Sequence, residues 1–108
     1  MYCISLNPSH LELIKKIDYV PVGLGDKFFS NSWAQDKSGN NIAYKNKYYG
    51  EYTFHYWLWK NNQVNFDGWI GFCQYRKFWK KDYGNYQISN LNSLNNVVLK
   101  KISKNLEI

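Results

Sequence analysis

Acid is scarce in this chain. Aspartate and glutamate number 8 against 14 lysines and arginines, for a formal charge of +6, and that excess directs the surface toward anionic partners such as nucleotides, nucleic acid or acidic lipid head groups. Cysteine is scarcer still. Cys3 and Cys73 stand far apart in apolar surroundings, without the close spacing of a zinc knuckle or a redox motif, and are expected to be reduced core thiols. Long apolar runs are missing too. No stretch approaches the roughly 20 residues of a membrane span, and Met1-Tyr2-Cys3-Ile4-Ser5-Leu6 lacks the basic start and the length of a signal peptide, which points to the cytosol. No internal repeat occurs, and no Asp-x-Asp pair is present to hold a divalent ion.

Aromatics are what the chain has in plenty, at 19% of 108 residues. Trp and Tyr combine a large apolar area with a polar tip, so they suit cores and ring-stacking platforms alike. The length suffices for one hydrophobic core and hardly two, so residues 1–108 are read as a single domain.

Local pattern then sets an order of elements. Tyr2 to Leu6 reads as a strand and Asn7-Pro8 as a turn. Ser9 and Glu12 have the spacing of a capping box, and Leu11, Ile14 and Ile17 give the following helix its apolar face. Tyr19-Val20-Pro21-Val22 reads as a second strand, so the fold class is α/β: a short, mainly parallel sheet flanked by helices. Residues 26–46 are polar and turn-rich, and a loop of that length in a small domain is usually functional. Residues 50–61, Gly-Glu-Tyr-Thr-Phe-His-Tyr-Trp-Leu-Trp-Lys-Asn, fit a strand or a helix by period; Asn46 as N-cap and Asn61-Asn62 as stop favour the helix. Residues 69–75 form an apolar run of strand length that ends in Arg76-Lys77, and Leu91, Leu94, Val98 and Ile102 predict an amphipathic helix near the C-terminus.

In open α/β sheets ligands bind beyond the carboxyl ends of the strands. Arg76 is therefore the leading candidate: its planar donors suit a diphosphate, with Lys77 adding charge, and it is expected to face a pocket shared with the polar stretch around Asn41. Glu51 either accepts bonds from sugar or ribose hydroxyls or serves the helix dipole. Trp57 and Trp59 either stack on a ring or pack in the core. Asp36, Asn41, Lys45 and Asn46 either contact a ligand or close turns in the loop. His55, among aromatics, reads as a core histidine. Gly23-Leu24-Gly25 before Asp26 is too short to count as a phosphate loop.

Three ordered blocks carry a family resemblance. Asp36-Lys37-Ser38-Gly39-Asn40-Asn41-Ile42 continuing to Lys45-Asn46, then Glu51-Tyr52-Thr53 through Tyr56-Trp57-Leu58-Trp59-Lys60-Asn61, then Ile70-Gly71-Phe72-Cys73-Gln74-Tyr75-Arg76-Lys77 together resemble the DUF4422 family of capsular and lipopolysaccharide glycosyltransferases. The resemblance spans about 19–79. Gln74 stands where the family has His, Lys77 where it has a second Arg and Tyr52 where it has Leu, so no proton-carrying role transfers to position 74. The resemblance implies a partial GT-A-like (nucleotide-diphospho-sugar transferase) fold, and a chain corresponding to the donor-side portion of a longer enzyme, inactive if truncated. It further implies a nucleotide sugar as substrate, a glycan or lipid-linked glycan as acceptor, and a complementary polypeptide completing the fold at the inner face of the membrane. The substrate-contacting residues it suggests are Asp36, Asn41, Lys45, Asn46, Glu51, Trp57, Lys60, Tyr75, Arg76 and Lys77. A manganese or magnesium ion is the cofactor to consider, although the expected carboxylate pair is missing and cationic side chains are expected to neutralise the diphosphate instead.

Two other classes fit parts of the pattern. Basic charge interleaved with aromatics is the mark of a single-stranded nucleic-acid-binding module, but Ile70 and Gln74 occupy positions where an RNA-recognition strand needs a cation and an aromatic. A non-catalytic carbohydrate-binding or assembly subunit is the third reading.

Overall fold

The computed structural model describes residues 1–63, 68–82, 84–85, 88 and 90–100. Among these, β1 (Tyr2–Ser5), β2 (Val20–Gly23) and β3 (Phe72–Gln74) form an all-parallel sheet in the order β2-β1-β3. β1 is central because both neighbours pair with it: Cys3 lies opposite Pro21 on one side and Cys73 on the other. Pro21 is tolerated because its missing N–H faces away from β1, on the outer side where Gly23 N donates to Ala34 O.

Strand alternation divides the interior into two cores. Cys3 and Cys73 point to one face, against Ile14 of the helix α1 (Leu11–Lys16), its C-cap Ile17, and Tyr19, Phe29 and Trp33. Tyr2, Ile4, Val22 and Phe72 point to the other, against Phe54, Trp57 and Leu58 of a later helix. Burying a side chain such as the fully covered Phe54 contributes roughly 1.5–3 kcal/mol. Cys3 and Cys73 are buried free thiols; the hydrogen bond between them, together with burial, pushes the Cys3 thiol well above its ordinary pKa.

Asn7, not Ser9, opens the first helical segment. Pro8 already has the backbone angle of a first helical residue, so a 3-10 turn at Pro8–His10 forms ahead of α1, and Asn7 Oδ1 accepts from Ser9 N at 3.0 Å. The capping box therefore does not form. After β2 the chain makes a long excursion anchored at Ala34 by a bridge to Val22. Gly23 is required there: a Cβ would lie 2.3 Å from the Phe29 ring.

The aromatic segment is helical, as its caps suggest, but in two pieces. α2 (Asn46–Tyr49) ends at Gly50 with φ +56, and α3 (Tyr52–Lys60) follows. Asn46 does not cap α3; its Nδ2 instead bridges the break, donating to Gly50 O and Thr53 Oγ1. Asn61 is the C-cap, as expected. β3 occupies only Phe72–Gln74 of the apolar run 69–75, and after it Arg76 at φ +81 turns the chain while Lys77 N donates back to Gln74 O at 2.9 Å. Close to the C-terminus, α4 (Leu91–Val97) is capped by Asn90, whose Oδ1 accepts from Ser93 N. It is shorter than the helix expected through Val98 and Ile102, because Val98 is extended and bridges Lys80, and the part of that expectation beyond residue 100 lies outside the described residues. Among the described residues no helix is long and apolar enough to cross a membrane.

Candidate functional site

A pocket of about 610 Å³ opens at the carboxyl ends of all three strands. Its apolar lining is the buried Ile4 and Leu24 with the exposed Leu6; its polar groups come from the turn after β1, from the loop after β2, from α2 and the residues after it, and from the end of β3. The position follows from topology. The chain leaves β1 through α1 to one side and returns through α3 to the other, so the connections diverge between β1 and β3 and leave a crevice.

One wall is built on His10. Its ring stacks on Tyr75 with centroids 3.5 Å apart and planes within 14°, and its Nδ1 lies 2.7 Å from Ser5 Oγ. Ser5 Oγ also accepts from Asn7 N at 3.0 Å, which locks the turn that presents the imidazole. Partial burial, with Lys27 and Arg76 near enough to repel a positive ring, lowers the His10 pKa and favours the neutral ring. The lining also carries Lys27 and Lys47, and Glu51 is its one carboxylate. Gln74 Nε2 donates to Glu51 Oε2 at 2.6 Å and fixes its direction. A flat stacked wall, two ammonium groups and an oriented carboxylate provide for a planar ring, an anionic group and hydroxyls respectively.

Of the residues singled out in the sequence, Asn46, Glu51 and Tyr75 line this pocket. The others lie elsewhere. Arg76 lines a separate hollow with Phe78, Trp79 and Lys80, so the pocket expected between it and Asn41 does not form; the left-handed turn at Arg76 carries the side chain off the β3 axis. Lys77 borders a shallow groove between Glu51 and Trp79. Lys60 lies over the Trp59 ring at 3.9 Å and Lys45 over Tyr44 at 5.7 Å, both apart from the pocket lining.

Asn41 and Trp57 belong to a fastening between the loop and the aromatic helix, beside which Asp36 is buried. Trp57 Nε1 donates to Ser38 O at 3.0 Å; Asn61 Nδ2 donates to Asn40 O, and its Oδ1 accepts from Asn40 N. Asn41 Nδ2 donates to Lys37 O and Gly39 O within its own turn. Asp36 is 1% exposed with no partner for Oδ2. The loop and the aromatic helix are thus stapled together, and much of the motif's polarity is committed internally. Trp59 is exposed, and His55 packs its ring on Phe72 at 4.4 Å, the packing role expected of it.

Ser5, His10, Lys27 and Lys47 were not read from the sequence as site residues. The rule that ligands sit past strand ends, applied to β1 and β2 as well as β3, points to Ser5 and Lys27; nothing local marks Lys47.

A family profile described as "Domain of unknown function (DUF4422)" matches residues 5–107. Comparison with curated proteins gives no match, nor does comparison with solved structures.

Proposed function

This chain belongs to the DUF4422 family, and on that premise we propose that the strand-end pocket binds a nucleotide sugar, whose sugar is transferred to a glycan or lipid-linked glycan acceptor. The observation that supports this best is the pocket's position and charge together: it lies across the carboxyl ends of three parallel strands and carries Lys27 and Lys47. The fold in this reading is the nucleotide-binding part of a GT-A-like arrangement, completed by further polypeptide. The base lies along the His10–Tyr75 stack, Lys27 and Lys47 meet the diphosphate, and Glu51 accepts from sugar or ribose hydroxyls.

The reaction is attack of an acceptor hydroxyl on the anomeric carbon, which breaks the bond to the diphosphate. As that bond breaks, negative charge grows on the leaving phosphate, and ammonium groups already in place stabilise it without reorganisation. A divalent ion does not suit the donor set. Glu51 is the one carboxylate in the lining, and no three metal-ligating side chains stand together among the described residues. The diphosphate is therefore assigned to Lys27 and Lys47 in place of Arg76 and Lys77. A thermal-shift screen with UDP- and GDP-sugars tests the reading: a rise in midpoint with one nucleotide class, undiminished by EDTA, is expected, and a flat response to all of them rules it out.

A further inference from the structure

The two cysteines lie far apart in sequence and side by side in the fold. They are register partners on the central strand β1 and the edge strand β3, and both belong to one cluster of buried side chains. Paired residues on neighbouring parallel strands project to the same face with α-carbons about 4.8 Å apart. That spacing lies inside the roughly 4.4–6.8 Å that a disulfide spans. The two thiols are hydrogen-bonded to each other. Among the described residues no third ligand joins them, so a zinc ion, which takes four, does not fit.

Their surroundings are unequal. Cys3 is fully buried, and its hydrogen bond with Cys73 together with burial pushes its thiol up. Cys73 is 8% exposed and borders the shallow groove formed by Phe72, Gln74, Lys77 and Trp79. The same hydrogen bond lowers the Cys73 pKa, against the opposing effect of burial. The thiolate is the form that reacts with oxidants, and a cysteine that holds one more readily, beside a partner able to resolve it, is the layout of a redox-sensing pair.

We propose that Cys3 and Cys73 close to a reversible disulfide, Cys73 being the sulfur first oxidised by a peroxide entering from the groove and Cys3 the sulfur that resolves it. The Cys73 thiolate attacks one oxygen of hydrogen peroxide, the O–O bond breaks, and the departing hydroxide takes a proton to become water, leaving a sulfenic acid. The Cys3 sulfur then attacks the Cys73 sulfur. Its proton joins the departing hydroxide as a second water, so one peroxide is reduced as two thiols are oxidised; a dithiol reductant reverses the bond by exchange.

The bond would lie next to the pocket. Ile4 and Ser5 follow Cys3, Gln74 and Tyr75 follow Cys73, and all four line the opening, where Tyr75 N donates to Ile4 O at 2.7 Å. A disulfide prefers β-carbons about 3.8 Å apart, about 1 Å less than the spacing of the strands. Closing it therefore draws β3 toward β1 and shifts both the Gln74 that orients Glu51 and the Tyr75 that stacks on His10. Under the proposed function, on which this clause alone rests, the oxidised chain holds its nucleotide sugar more weakly.

The test is titration of the folded chain with hydrogen peroxide, followed by quenching, unfolding, a count of free thiols and peptide mapping. Both thiols are expected to disappear in step, to reappear as one Cys3–Cys73 linkage within a single chain, and to be recovered with dithiothreitol. In Cys3→Ala, with its fold checked by a thermal melt, Cys73 is expected to be trapped by dimedone as the sulfenic acid; in Cys73→Ala, Cys3 is expected to stay a thiol at the same dose. Retention of both thiols in the parent, oxidation of Cys73 without linkage to Cys3, or linkage only between chains overturns the proposal. Those parent results decide it even where an alanine variant fails to fold. For the pocket, the oxidised parent is expected to bind a nucleotide sugar about tenfold more weakly than the reduced parent, and equal affinity overturns the coupling. A reduced parent that binds no nucleotide sugar counts against the sugar-binding reading and leaves the thiol count untouched.

Discussion

Arg76 shows how one backbone angle redirects a side chain. At φ +81 it occupies a region that favours glycine and costs an ordinary residue about 1 kcal/mol, and the turn that requires this angle also removes the guanidinium from the strand-end pocket. Arg76→Gly is therefore expected to be neutral or stabilising by up to about 1 kcal/mol in urea unfolding, with nucleotide-sugar binding retained; a clear loss of stability contradicts the strain argument. His10 gives a prediction about pH. Its pKa in the folded chain lies below the ordinary 6.5, mainly through partial burial and then through Lys27 and Arg76. The fold thus favours the neutral ring, so the contribution is complete above about pH 6.5 and falls as pH drops through the unfolded value toward the folded one. The urea midpoint should be lower at pH 5 than at pH 7, and His10→Gln should reduce that difference. An unchanged difference in the variant would show that His10 is not the group responsible.

Elements explain what the sequence made legible. The strand–helix–strand opening was readable from its periods of two and 3.6. The period of residues 50–61 fitted strand and helix alike, and only the polar residues at its ends favoured the helix; of these, Asn61 does end it and Asn46 does not cap it. The exact starts were harder, since Pro8 moved the helical start forward to Asn7 and Gly50 split α2 from α3. The loop motif was visible as a motif, but its use was not. Trp57 of α3 and its C-cap Asn61 reach it across a sequence separation that no local rule spans. Asn61 bonds Asn40 through both ends of its amide while Nδ2 also donates to Trp57 O, so Asn61→Ala is expected to cost about 1–2 kcal/mol in thermal or urea unfolding. Sugar binding in the pocket should survive; a stable Asn61→Ala protein that no longer binds would place the staple within the binding site.

At the scale of the molecule, the arrangement that matters is a three-stranded parallel sheet with a core on each face and a crevice where the connections diverge. The α/β class and parallel character were legible from the spacing of apolar runs. Lys27 and Lys47 were not, because one sits in a loop and the other on a four-residue helix, and only the assembled sheet brings them to the same opening.

The most direct measurement is a calorimetric titration of the best nucleotide sugar into the parent chain, the Lys27→Ala/Lys47→Ala double variant and Arg76→Ala. If the two lysines hold the diphosphate, the double variant loses about tenfold or more in affinity and Arg76→Ala stays within about twofold of the parent. Unchanged binding by the double variant, or loss confined to Arg76→Ala, would contradict the assignment of the strand-end pocket.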